Sequence, residues 1–86
     1  MNDRELKIRK NILSPITDAL AGAINTAEKE ITEIENILRS NLTLEEKLNF
    51  SHLKNTICTE VTLMKSSLDI FGCEILAAKI FLKEAL

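Results

Sequence analysis

Along the second half of the chain, apolar residues recur in alternating steps of four and three: Ile57, Val61, Met64, Leu68, Phe71, Ile75, Ala78 and Leu82. That spacing draws one unbroken stripe down a long α-helix, and it does not fit a strand, whose side chains alternate with period two. A second ladder, Leu20, Ile24, Ala27, Ile31, Ile34 and Leu38, precedes the first, with a short polar stretch between them. Two stripes joined by so brief a break make the two helices antiparallel neighbours. The expected fold class is all-α, an antiparallel helical hairpin.

Composition agrees with a single small helical domain over residues 1–86. The chain has 45% hydrophobic and 28% charged residues, ordinary for a folded protein and too apolar for a disordered one. Two Gly and one Pro leave few places to turn, and three Phe with no Trp or Tyr make the core aliphatic. A chain this short buries a modest share of its surface, so its stability depends on a well-packed or shared core.

Local signals set the expected boundaries. Asn2 or Asp3 can cap a first helix that runs over about 3–40. Ser14-Pro15 reads as a cap followed by Pro at a first helical position, and Asp18 suits a helix start, so this helix is expected to be kinked or broken near Pro15. Thr43-Leu44-Glu45-Glu46 has capping-box spacing and opens a second helix over about 44–85. Ser66-Ser67 and Gly72 are the interior points where that helix could bend. Ala19, Gly22, Ala23 and Ala27 are small enough to let the two backbones approach closely around Val61. The second helix outreaches the segment from Pro15 onward by about 25 Å. Residues 1–14 are therefore expected to pack back over the C-terminal third, where Phe71, Ile75, Ala78 and Leu82 can receive them.

The C-terminal third carries more apolar surface than that packing can hide. From Ile70 to Leu82, every residue except Gly72, Glu74 and Lys79 is apolar. One partner helix covers a stripe about 100° wide. That leaves Ile70, Cys73, Leu76, Ala77, Ile80 and Phe81 as a candidate partner interface. Each large side chain left in water forgoes roughly 1.5–3 kcal/mol of burial, so a homodimeric four-helix bundle or a different protein partner is expected to cover them. Membrane contact is a weaker reading, because Lys79 and Lys83 stand beside Glu74 and Glu84 where a membrane-surface helix wants a basic face.

Reaction chemistry is not legible in this chain. His52 is the sole histidine, and Cys58 lies off the spacing that would place two ligands on one helical face, so no metal site is expected. Histidine-phosphotransfer bundles carry Lys three residues after the histidine and then Gly. His52-Leu53-Lys54-Asn55 has neither in place, which leaves a phosphocarrier role for His52 a remote alternative. Cys58 and Cys73 are about 22 Å apart on a continuous helix, beyond disulfide reach, and read as buried reduced thiols of a cytoplasmic protein. The start of the sequence lacks the apolar core of a signal peptide, and no apolar run has the length of a transmembrane helix.

Net charge is −2, which gives no global attraction to nucleic acid. A local basic cluster, Arg4, Lys7, Arg9 and Lys10, keeps RNA binding as the alternative class, although it contains no aromatic residue for base stacking. An acidic run, Glu28, Glu30, Glu33 and Glu35, reads as a solvated face. No catalytic residue, cofactor or small-molecule substrate is expected. In size and hairpin pattern the chain is loosely similar to small bacterial helical adaptors, such as the small chaperones of specialised secretion systems, and that similarity assigns no residue a role. The expected function is non-enzymatic: a small protein–protein interaction module, whether adaptor, chaperone or inhibitor.

Overall fold

A computed structural model describes residues 2–84 as two helices, α1 (Asp3–Leu38) and α2 (Leu44–Phe81), packed antiparallel against each other. No strand occurs among the described residues. The hairpin is a rod of 59 × 19 × 14 Å with a radius of gyration of 18.7 Å. A compact chain of this length would have a radius near ~12 Å.

Each helix start is fixed by its own sequence. The Glu5 N–H donates to the Asn2 side-chain oxygen at 2.9 Å, so Asn2 caps α1. At α2 the capping box is complete: the Glu46 N–H donates to Thr43 Oγ1, and the Thr43 N–H donates back to the Glu46 carboxylate at 3.3 Å. Between the helices, the Arg39 and Ser40 amides donate to the Asn36 and Ile37 carbonyls and tighten the last turn of α1.

Pro15 does not break α1. The helix is continuous from Asp3 to Leu38, and Ser14 is not the cap of a new one. Pro15 cannot donate to the Asn11 carbonyl. The neighbouring hydroxyls bond within the helix instead, Ser14 Oγ to the Lys10 carbonyl at 3.0 Å and Thr17 Oγ1 to the Ser14 carbonyl at 2.8 Å. Packing supplies the rest, since Leu13 and Ile24 are buried on either side of the proline. Tertiary contact has overridden a local helix breaker.

Likewise α2 passes without interruption through Ser66, Ser67 and Gly72. Its end falls at Phe81, short of residue 85, which lies outside the described residues. Lys83 takes a left-handed conformation with φ 56°. Its amide donates to the Ile80 carbonyl at 3.1 Å, while the Glu84 amide donates to the Lys79 carbonyl at 2.9 Å. This pair of bonds is a Schellman stop, normally built on Gly. A lysine there is strained by its Cβ.

The core is the seam between the two ladders. Leu13, Ile24, Ile34, Val61 and Ala78 are buried, and the remaining ladder positions, such as Leu20, Ile57 and Ile75, are half-buried. The expected close approach of small residues around Val61 does not occur as read. Ala19, Gly22 and Ala23 are exposed, a turn away from the seam, and of that set Ala27 alone is half-buried.

Two substitutions test the ends of α2. Thr43→Ala should destabilise the fold by about 1 kcal/mol through loss of the cap. Lys83→Gly should stabilise it by about 1 kcal/mol by relieving the left-handed strain. Chemical denaturation followed by circular dichroism measures both, and opposite signs would refute these helix ends.

Candidate protein interaction surface

Among the described residues, three ion pairs between the helices and a fourth from α1 to the turn after α2 identify the two flanks of the seam. On one flank, Glu28 meets Lys65 at 3.7 Å and Glu35 meets Lys54 at 3.9 Å. On the other, Arg9 Nε donates to Glu74 at 3.1 Å. Lys10 donates to Glu84, which the Schellman turn swings back toward α1. In an antiparallel pair, residues seven apart repeat the same flank, so these contacts assign every other helical position.

The Glu28–Lys65 flank is polar along its middle. Asp18, Asn25 and Glu28 lie there on α1, with Thr62, Lys65 and Asp69 on α2. The Arg9–Glu74 flank differs. Between Arg9 and Glu30 its α1 positions are Ile12, Ile16, Ala19, Ala23 and Thr26, and between Glu60 and Glu74 its α2 positions are Leu63, Ser67 and Ile70. That central stretch has no charge on either helix.

Exposure follows the same division. Among the described residues, twelve large hydrophobic residues are exposed against five buried core residues. Seven of the twelve, Ile12, Ile16, Ile37, Leu53, Leu63, Ile70 and Phe81, fall on the Arg9–Glu74 flank. Leu44, Leu48 and Leu76 fall on the polar flank, while Ile8 and Ile80 point outward, opposite the seam. The apolar excess therefore belongs mainly to one broad side shared by both helices. Near the termini that side opens into a groove of about 500 Å³, lined by Leu6, Leu13, Ala77, Ala78 and Phe81, with Arg9, Lys10 and Glu74 at its edge.

All six residues singled out from the sequence, Ile70, Cys73, Leu76, Ala77, Ile80 and Phe81, are exposed, Phe81 most of all at 73%. They are not one patch. Ile70, Ala77 and Phe81 share the Arg9–Glu74 flank, Cys73 and Ile80 form the outward ridge, and Leu76 lies on the polar flank. Sequence reasoning passed over Ile12 and Ile16 on α1. The signal was present as a second ladder, Ile12, Ile16, Ala19, Ala23, in the same four-three-four steps, masked by the stronger inner ladder.

The thiols depart from the core reading. Cys73 is exposed and Cys58 half-buried, because Cys73 sits opposite the seam. His52 is exposed as well, and the described residues contain no cluster of three potential metal ligands. On α2, the hydroxyls of Thr56, Thr59 and Thr62 donate to carbonyls four residues back at 3.0–3.1 Å. Their outward surface is then chiefly methyl. Of the basic cluster, Arg9 and Lys10 are already engaged by Glu74 and Glu84. No described helix is long and apolar enough to cross a membrane. In comparisons with known proteins, no family model, no curated protein and no solved structure matches the chain.

Lys10 holds the Glu84 carboxyl below its ordinary value, chiefly through the hydrogen bond. A depressed carboxyl stabilises the folded chain above its unfolded pKa, and that contribution fades as pH falls through the lower folded value. Glu84→Gln should therefore reduce the acid-side loss of stability below about pH 4.5 and leave the slope near neutrality unchanged. An unaltered acid limb in the variant would show that the Lys10 contact does not form.

Proposed function

We propose that this chain is a non-enzymatic protein–protein interaction module, an adaptor, chaperone or inhibitor, that works through its apolar helical surface and assembles as a homodimeric four-helix bundle. The observation that carries the reading is the imbalance, among the described residues, between twelve exposed large hydrophobic residues and a five-residue core. Exposed apolar area on this scale marks a contact surface. Chemistry points the same way, since the titratable side chains that edge the apolar groove, Arg9, Lys10 and Glu74, are engaged in ion pairs, and His52 stands exposed.

Ile70, Ala77 and Phe81 are the α2 residues best placed to anchor a partner, because they share the side that holds most of the exposed apolar residues. Aromatic anchors near grooves carry a large share of interface energy, and Phe81 lines the groove between the helix ends.

The test is Phe81→Asp, followed by sedimentation and far-UV circular dichroism. Association with itself or with a partner should weaken by about tenfold or more, with helicity largely kept. A wild-type chain that sediments as a stable monomer at micromolar concentration and binds no protein would remove the reading.

A further inference from the structure

We infer that the uncharged side of the hairpin is occupied by a second copy of this chain, laid head-to-tail, so that α1 crosses α1 of the other copy at Ala19–Ala23. The inference rests on the interaction-module reading and adds the occupant, the face and the orientation.

Area comes first. The chain exposes 6376 Å², whereas a compact protein of 9.7 kDa exposes about 5,100 Å². The excess, about 1,300 Å² by the same scaling, is more than the ~800 Å² each partner contributes to an interface of standard size. One further hairpin, pressed on one side, is the right size to remove it.

Orientation follows from charge and from side-chain size. Beyond the uncharged centre, the loop end of this side holds Glu30, Glu33, Glu46 and Glu60 with no basic residue, and the other end holds the Arg9–Glu74 pair. If the two loops met, Glu30 and Glu60 of both copies would gather with no cation among them. Head-to-tail placement sets Arg9 and Glu74 of one copy beside Glu30 and Glu60 of the other. It spreads the acid into two clusters, each holding a guanidinium, and like charges facing across an interface cost several kcal/mol.

Setting Arg9 opposite Glu30 of the second copy puts the two-fold axis beside Ala19. Ile16 of each copy then falls against Ala23 of the other, large against small. On α2 the Arg9–Glu74 and Glu28–Lys65 pairs put Asp69 at about the level of Ala19, so the same axis brings Ile70 of the two copies together. Cys73 and Ile80 stay on the outward ridge.

Cross-linking decides between the orientations. In the full chain with Cys58→Ser and Cys73→Ser, Ala19→Cys should give a disulfide-linked dimer under mild oxidation, because the two-fold brings the two positions within disulfide reach. Asn41→Cys, in the loop, should not. Arg9→Glu should weaken self-association about tenfold, and adding Glu30→Arg should restore it. Glu30 lies far from Arg9 within one chain, so rescue reports the contact between copies. Dimers that cross-link through Asn41→Cys, or that ignore the Arg9–Glu30 exchange, overturn the head-to-tail arrangement and leave the interaction module standing. A monomer that binds a different protein has the same consequence. A monomer that binds nothing overturns both.

Discussion

Side chains of α1 and α2 interlock along a single seam, with Leu13, Ile24, Ile34, Val61 and Ala78 at its centre. Two helices in contact cover one stripe of each, about 100° of the circumference. On α1 this nearly suffices below Ala27, where the outer positions are charged. Over its first half, and along most of α2, it does not. The rod shape, the exposed Ile12, Ile16 and Ile70, and the open groove near the helix ends all follow from that limit.

Charge completes what the seam begins. Arg9–Glu74 and Glu28–Lys65 are exposed ion pairs, and such pairs contribute little stability, roughly 0–1 kcal/mol each. Their value is in register. They flank the seam on opposite sides and hold the ladders in phase, which determines which apolar residues face outward together. The Schellman turn at Lys83 adds a clamp by returning Glu84 to Lys10 at the open end of the rod.

The hairpin was legible from spacing alone, because Val61 to Leu82 and Leu20 to Leu38 repeat in helical steps and Thr43–Glu46 marks a start without ambiguity. Pro15 does not break the helix because a proline signal is local, whereas the packing of Leu13 and Ile24 on α2 acts across it. The α2 terminus is not legible for a related reason: nothing in Leu82-Lys83-Glu84 announces a stop, and lysine is an unusual residue for a left-handed cap. The six residues chosen from Ile70 to Phe81 are exposed, yet periodicity on one helix could not sort them by flank. That sorting needs a contact between helices, such as Arg9–Glu74, to show which side of α1 adjoins which side of α2. Once it is known, Ile12 and Ile16 join Ile70 and Phe81 on a single surface.

If the seam is too small to hold the chain alone, stability must be shared with a second molecule, and mass action then makes it depend on concentration. The direct measurement is thermal unfolding of the wild-type chain by circular dichroism over about a hundredfold range of concentration. A Tm that rises steadily with concentration, by several degrees over the range, is the expected result. A sharp, reversible transition at one concentration-independent Tm would mean that the isolated hairpin is self-sufficient, and the account built on its unfinished core would fail.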